Sequence, residues 1–341
     1  MKNRVITFLL MLILPTYCFS LTANETSKNN SLAVKKPSLA FNNLQRLFLN
    51  YGYQEIPLRL SKNKNFLIID VSLGKNQALE TFILDTGASL TSIDQKIEAR
   101  YKFKKQGKEF ITGGAGGNRF LTHKVIIPSM NLGNFSANNQ MASIQHYSHI
   151  KIAEKPIAGM IGLDFLRQYQ AILDVTHKRL FLKLRNVKLV NKKILCNNLL
   201  KMRYEPIQLE RSPSGHETLL VKINNSNPVR FMLDTGASPS MMLDYKYARN
   251  IAVNIKGNPT ISKGGSNGIM KIFTAKIHKF SIGSIISSDQ SIVITTGLEF
   301  AQIGTPIFGV IGLDWMLSHQ AVLDASNNLL FVTSKRDGSL G

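Results

Sequence analysis

Short apolar runs, each ended by a turn, make up most of this chain. Four of them read as strands separated by turns rich in Gly, Asn and Pro: 65–73, 80–84, 218–223 and 229–233. Helical signals are brief, at 90–101 and 241–250 and in the short helices expected to begin at Phe165 and Trp315. This pattern predicts a mainly β protein with short helices.

The pattern also repeats. The segment Phe82–Ser89 returns as Phe231–Ser238, an offset of 149 residues. Further landmarks pair at offsets of 149 or 150: Pro57 with Pro206, Gly162 with Gly312, and Asp174 with Asp324. A duplicated module of about 130 residues is within the usual size of a domain. We therefore expect two closed β-barrel lobes in one chain, related by a pseudo-two-fold axis.

The repeat and the polar stretches around it define the expected organisation. A polar N-terminal segment precedes the first lobe, and a basic linker separates the lobes. The predicted boundaries are 1–20 for a signal peptide, 21–50 for the polar segment, 51–184 for the N-terminal lobe, 185–198 for the linker, 199–332 for the C-terminal lobe and 333–341 for a tail. The polar segment is expected to be mobile, either as a disordered linker or as a propeptide.

The first residues resemble a secretory signal. Lys2 and Arg4 precede an apolar run at Val5–Leu14, and Ser20 is a plausible cleavage point. The run is too short for a comfortable membrane span. The sequence therefore predicts an exported protein, periplasmic or secreted.

Net charge and cysteine content limit which binding partners and which disulfide bonds are expected. The 341 residues carry a net charge of +21, which allows an acidic envelope surface as a partner. The lysines are scattered and no nucleic-acid-binding motif is present, so no nucleic acid partner is expected. Cleavage near Ser20 would remove Cys18 and leave Cys196 without a disulfide partner.

The repeated phrase carries the candidate chemistry. Asp85 and Asp234 each follow a strand of bulky apolar residues. If the lobes pack around a two-fold axis, the two loops meet, and a pair of close carboxylates shares one proton. The residues that follow each aspartate would support the loops through hydroxyl hydrogen bonds and close backbone approach: Thr86, Gly87, Thr235 and Gly236.

A glycine cluster follows each aspartate by about 30 residues and precedes a strand-like run. Equivalent placement in both modules favours two flexible flaps that close over a ligand. The candidate flap residues are Gly114, Ala115, Gly116, Gly265, Ser266 and Asn267.

These motifs resemble the retropepsin-like aspartic proteases. The resemblance rests on both Asp-Thr-Gly-Ala phrases, the glycine-rich flaps and the later Gly-Leu-Asp segments at Gly162 and Gly312, and it covers nearly the whole mature chain. It implies a single-chain endopeptidase, monomeric as a pseudo-dimer, that acts on polypeptides without a metal or cofactor. Asp85 and Asp234 would hold a water, one as general base and the other as general acid.

The chain departs in two places from the families that it resembles. The Gly-Arg of retroviral enzymes is Gly-Leu here, and Ala88 and Ala237 replace the hydroxyl residue of pepsin-like enzymes. With one fewer donor near the dyad, the shared proton is held more tightly, and we expect a mildly acidic to neutral optimum.

The sequence also allows other interpretations. The modules could form a catalytically silent peptide-binding or inhibitory pseudoprotease. Asp164 and Asp314 are interpreted as N-caps of short helices, not as catalytic groups. His146 and His149 have a spacing that metal ligands can adopt, but no further ligands lie nearby in sequence.

Overall fold

The computed structural model describes residues 7–9, 12–13, 39–63, 65–74, 78–152, 155–184, 191–298 and 306–334, with side chains from residue 43 onwards. The N-terminal half contains β1 (Thr7–Leu9), β2 (Leu12–Ile13), α1 (Leu39–Asn50), β3 (Gln54–Pro57), β4 (Arg59–Leu60), β5 (Leu67–Leu73), β6 (Leu79–Leu84), β7 (Ser92–Asp94), α2 (Gln95–Tyr101), β8 (Lys104–Gly114), β9 (Arg119–Leu132), β10 (Phe135–Gln145), β11 (Lys151–Ile152), β12 (Lys155–Pro156), β13 (Gly159–Ile161), α3 (Leu163–Gln168), β14 (Ile172–Asp174) and β15 (Arg179–Leu182). The C-terminal half contains α4 (Lys192–Lys201), β16 (Glu205–Gln208), β17 (Glu210–Arg211), β18 (Glu217–Ile223), β19 (Val229–Asp234), β20 (Met241–Asp244), α5 (Tyr245–Asn250), β21 (Ile255–Gly264), β22 (Ile269–Ile282), β23 (Ile285–Thr295), β24 (Gly309–Gly312), α6 (Leu313–Ser318), β25 (Val322–Asp324) and β26 (Leu329–Val332).

Each half folds around a closed ring of six strands. In the N-terminal lobe the ring runs β9, β10, β7, β13, β6 and β5, and the pairing of β5 with β9 closes it. In the C-terminal lobe it runs β22, β23, β20, β24, β19 and β18, closed by β18 with β22. The prediction of a mainly β protein with two barrel lobes is confirmed. Strands β1 and β2 add to the edges of the two sheets, along β8 and β21 respectively.

A third sheet joins the lobes. Each lobe contributes three adjacent strands to it, in the order β16, β26, β25, β14, β15 and β3. At its centre β14 and β25 are antiparallel, with Leu173 opposite Leu323. Because these two leucines occupy the same position in the two modules, the pseudo-two-fold axis passes between them.

Two helices pack against this joining sheet. Residues 39–50 belong to the segment predicted to be polar and mobile, yet they form α1. Leu44 and Phe48, one turn apart, are fully buried there, and the Phe48 ring lies 4.8 Å from that of Phe181. Helix α4 supplies Leu195 and Leu199 to the same cluster. Burial of this apolar face stabilises both helices and fixes the sheet that carries the two lobes.

The register of the sheet corrects one sequence landmark. Glu55 pairs with Phe181 in one module, and Pro206 pairs with Phe331 in the other. Since the two phenylalanines correspond, Pro206 is the counterpart of Glu55, and the pairing of Pro57 with Pro206 was wrong. The other landmarks occupy equivalent strands and turns.

Predictions for the chain's ends stay open. The predicted signal peptide and the predicted tail lie mostly outside the described residues. Residues 185–190 of the predicted linker also lie outside them. Among the helices of the described residues, none is long and apolar enough to cross a membrane.

Candidate active site

Two buried strands deliver the candidate aspartates to the lobe interface. β6 ends at Leu84, directly before Asp85, and runs parallel to β13. β19 ends at Asp234 and runs parallel to β24. The three apolar residues directly before each aspartate, Phe82–Leu84 and Phe231–Leu233, are fully buried. The barrel cores therefore fix the backbone just before each carboxyl group.

The two loops are held together by a reciprocal set of threonine hydrogen bonds. The Thr86 hydroxyl donates to the Leu233 carbonyl at 2.9 Å, and the Thr235 hydroxyl donates to the Leu84 carbonyl at 2.8 Å. Each hydroxyl also accepts from the other threonine's backbone N–H, at 2.9 and 3.0 Å. All four bonds cross between the lobes and all are buried. The predicted threonine contacts are thus present in the structure.

The glycines after the threonines allow the loops to approach closely. A side-chain carbon on Gly236 would lie 2.7 Å from the carboxyl carbon of Asp85, and one on Gly87 would overlap the Asp234 carboxyl group. Each carboxyl group therefore packs against the opposite loop. Only glycine leaves room for this arrangement, which brings the two carboxyl groups into one site.

The two carboxyl groups are completely buried. One oxygen of each accepts a backbone hydrogen bond, Asp85 Oδ1 from Gly87 at 2.8 Å and Asp234 Oδ1 from Gly236 at 2.7 Å. The Oδ2 atoms of both aspartates have no hydrogen-bond partner among the described residues. A buried acceptor without a partner is costly, so these two oxygens mark the position where a polar ligand would be stabilised.

Burial also sets the protonation of the pair. It raises the pKa of Asp85 well above its ordinary value, and the neighbouring Asp234 carboxylate raises it further. Burial raises the pKa of Asp234 to about 7, against hydrogen bonds from Asp85 and the nearby amides that lower it. The two carboxyl groups therefore share a proton over the acidic to neutral range.

Asp164 supports the first loop in a way that differs from the predicted N-cap. Helix α3 begins at Leu163, and its N-cap Gly162 makes no side-chain capping bond. Asp164 lies within the first turn and accepts from both the backbone N–H and the hydroxyl of Thr91, each at 2.7 Å. Burial raises the pKa of Asp164 to about 6. The aspartate ties the helix to the active-site loop 73 residues earlier in the chain.

Asp314 is not an N-cap either, and it differs from its counterpart. Helix α6 begins at Leu313 with Gly312 as its N-cap. Asp314 is exposed, although partial burial raises the pKa of its carboxyl group. The two lobes therefore use this position differently.

Both predicted flap segments lie at the tips of long hairpins. β8 and β9 form the first hairpin, and β21 and β22 form the second. Gly116 at the first tip has a φ of 91°, which favours glycine, and Asn267 at the second has a φ of 61°. The candidate residues Gly114, Ala115, Gly116, Gly265, Ser266 and Asn267 all lie at or beside these tips.

The two tips contact each other. The Ser266 hydroxyl donates to the Ala115 carbonyl at 2.8 Å, and the Asn118 side-chain amide donates to the Ser266 carbonyl at 3.2 Å. Gly116 and Gly268 pack backbone against backbone, so a side-chain carbon on either would overlap the other. The hairpins are therefore interlocked in a closed arrangement.

The interlock is asymmetric. Ala115 is fully buried in a C-terminal-lobe cluster that includes Met232, Met270 and Leu298. The backbone N–H of Gly116 donates to the Gly297 carbonyl at 3.2 Å. The first hairpin thus inserts its tip into the opposite lobe.

Sequence reasoning did not identify Asn118 or Gly297 as part of this contact. Asn118 directly follows the first glycine cluster, which was the only available signal, and nothing local distinguishes Gly297. His149, considered as a metal ligand, is half-buried and hydrogen-bonded to the Gly264 backbone. The described residues contain no group of three or more His, Cys, Asp or Glu side chains placed to hold a metal ion.

Comparison with known proteins identifies the class. A family model described as aspartyl protease matches the chain twice, over residues 69–165 and 219–315, which together exceed half of the chain. The chain belongs to this aspartyl protease family, with one copy of the family domain in each lobe. The aspartic proteinase from Irpex lacteus matches at 11% identity and a TM-score of 0.44, over 83% of this chain and 97% of that one. No curated protein matches in sequence.

Proposed function

We propose that this chain is an aspartic endopeptidase that hydrolyses peptide bonds with the Asp85 and Asp234 pair. One observation supports this most directly. Both carboxyl groups are buried in one site, and the Oδ2 atom of each has no hydrogen-bond partner among the described residues. A water held between these oxygens would be hydrogen-bonded to an acid and to a base at once.

The reaction follows from the shared proton. The ionised carboxylate removes a proton from the water, whose oxygen attacks the carbonyl carbon of the scissile bond. The protonated carboxyl group donates its proton to the carbonyl oxygen, which gives a tetrahedral gem-diol. Collapse of this intermediate breaks the carbon–nitrogen bond as the amide nitrogen accepts a proton. The raised pKa of both aspartates keeps one proton on the pair at mildly acidic to neutral pH, where we place the optimum.

The hairpins are proposed as flaps that cover the bound peptide. Their interlocked tips must part before a polypeptide can enter, and their closure would exclude water from the dyad. Both halves of the proposed site lie on one chain, so a monomer suffices. The basic N-terminus and apolar run at Val5–Leu14 support export as a further proposal.

The test is cleavage of a mixed peptide library by the wild type and by Asp85→Asn and Asp234→Asn. Asparagine keeps the size of the side chain but can neither ionise nor share the proton. Each substitution alone should lower the rate by about a hundredfold or more, because the two carboxyl groups have distinct roles. Asp289→Asn is the matched control, since this aspartate is 80% exposed on the surface.

The outcomes separate two functions. If either single variant retained full activity, the shared-dyad mechanism would be wrong. If the wild type bound peptides yet cleaved none of them between mildly acidic and neutral pH, the chain would be a peptide-binding pseudoprotease instead.

A further inference from the structure

A large cavity opens beside the first active-site loop. Its volume is about 890 Å³, and its walls include Ser89 and Leu90, which follow Asp85-Thr86-Gly87-Ala88 in the same loop. The other walls come from the first hairpin, from Met141 on β10 and from the turn 213–215 of the opposite lobe. The cavity therefore lies beside the loop that carries Asp85 and is built by both lobes. Its volume is in the range of pockets that hold small ligands or peptide side chains.

The lining of this cavity is largely apolar and partly open to solvent. Phe110, Leu121, Met141 and Pro213 all contribute to it. Leu121 is 62% exposed and Met141 is 41% exposed, which is unusual for large apolar side chains grouped in one cavity. Neither contributes to a barrel core, so their apolar character is available to a ligand.

A second cavity, of about 490 Å³, lies beside the other active-site loop. The duplication relates part of its wall to the first cavity. Ser238 and Pro239 replace Ser89 and Leu90, Ser291 replaces Met141, and the turn with Asn63 and Asn65 replaces the turn 213–215, whereas the second hairpin is not among the segments that line it. The two cavities thus lie beside equivalent active-site loops.

Several positions are apolar in the first cavity and polar in the second. Met141 corresponds to Ser291, and the turn that carries Pro213 corresponds to the turn that carries Asn63 and Asn65, whereas Leu90 and its counterpart Pro239 are both apolar. The strands continue this difference: Phe110 and Leu121 of the first hairpin correspond to Thr260 and Lys271 of the second.

The charges of the two cavities also differ. Asp314 is exposed and lines the second cavity. Its counterpart Asp164 is hydrogen-bonded to Thr91 and is absent from the lining of the first. The first cavity has Lys108, Glu109 and Lys124 in its lining, so the second differs from it in having one carboxylate and no cation among its lining residues.

We propose that the cleft recognises the two sides of a peptide unequally. The cavity lined by Phe110, Leu121, Met141 and Pro213 binds a large apolar side chain on one side of the scissile bond. The cavity lined by Asn63, Ser238, Ser291 and Asp314 binds a polar side chain on the other. This inference rests on the proposed function, since it assigns the substrate class of the same site.

The geometry makes the two sides distinguishable. The pseudo-two-fold axis passes between the aspartates, so the two cavities lie on opposite sides of the dyad. A peptide extended across the dyad therefore places residues from opposite sides of its scissile bond in opposite cavities. Burial of a large apolar side chain contributes about 1.5–3 kcal/mol, which is about tenfold to a hundredfold in affinity.

The experiment measures peptide binding, so it does not depend on turnover. The full-length Asp234→Asn chain is titrated with fluorescent synthetic peptides in which phenylalanine or serine stands at each position in turn. We expect phenylalanine to tighten binding about tenfold at positions on one side of the centre and not on the other. Replacement of Phe110 and Met141 by their own counterparts, Phe110→Thr with Met141→Ser, should remove this preference.

The reciprocal change is the matched control. Ser291→Met places the apolar side chain in the second cavity, and the preference for phenylalanine should then appear on both sides. Thermal unfolding of each variant shows whether it is folded, and all three substituted positions, Phe110, Met141 and Ser291, are at least partly exposed.

Three outcomes would overturn the inference: equal preference on both sides, a preference that survives the paired substitution, or no binding of any peptide. Failure of the proposed function gives a different result. In that case the Asp234→Asn chain shows the one-sided preference, while the wild type leaves the same peptides intact.

Discussion

The threonine contacts between the active-site loops give a quantitative prediction for Thr86→Val. Valine has nearly the shape of threonine but has no hydroxyl group. The substitution removes the donor to the Leu233 carbonyl and the acceptor for the Thr235 N–H, each at 2.9 Å. Both backbone groups remain buried at the lobe interface. Each unpartnered buried group costs about 1–3 kcal/mol, so the free energy of unfolding should fall by about 2–6 kcal/mol.

This loss is large against the whole stability of a domain, about 5–15 kcal/mol. Urea denaturation followed by intrinsic fluorescence measures it as a shift of the midpoint. Thr86→Ser is the control, because serine keeps the hydroxyl group and removes only a methyl group, at a cost of about 1 kcal/mol. If valine cost no more than serine, the interlobe hydrogen bonds would not hold the loops together. Peptidase activity should fall with the valine variant even where the chain remains folded, because the two carboxyl groups lose their alignment.

Two further predictions concern buried charges. Arg167 forms an interlobe ion pair with the fully buried Glu217, whereas Leu317 and Leu67 occupy the equivalent positions across the axis. Arg167→Leu alone should therefore lower the free energy of unfolding, measured by urea denaturation, by about 3–5 kcal/mol, and Glu217→Leu added to it should recover most of this loss. A double variant as unstable as the single variant would contradict this prediction. Because burial raises the pKa of Asp234 to about 7, from about 3.9 in the unfolded chain, the unfolding free energy should decline as pH rises from about 4 to about 7. Asp234→Asn should flatten this decline in unfolding measured across the same range, and an unchanged slope would show that the dyad does not carry it.

Local patterns were enough to predict the centre of the site. Asp85, Asp234 and the residues after them lie in a short phrase whose strand, turn and glycine each have a local physical signature. Duplication then showed that two such phrases belong together. The flap tips were predicted on the same basis, since a glycine cluster between two strand-like runs indicates a hairpin.

Contacts between distant segments were not predictable in this way. Asp164 was interpreted as an N-cap from its place before an apolar run, but its main partner is Thr91, which no local pattern connects to it. Helix α1 was missed because its apolar positions, Leu44, Leu47 and Phe48, come at the end of a polar stretch and were interpreted as part of it. Pro206 was aligned by residue type, whereas the strand register places it opposite Phe331.

The pairing of Leu173 with Leu323 at the centre of the joining sheet has a consequence for how the two halves can diverge. After a duplication the halves begin identical, and residues beside the axis face their own copies. A substitution there must be compatible with both the residue and its symmetry-related copy, so the sequences of the two halves diverge slowly at this position. The threonines of the active-site loops, Thr86 and Thr235, share this constraint. The two cavities do not, because Met141 and Ser291 lie on opposite sides of the dyad, and each is free to change alone.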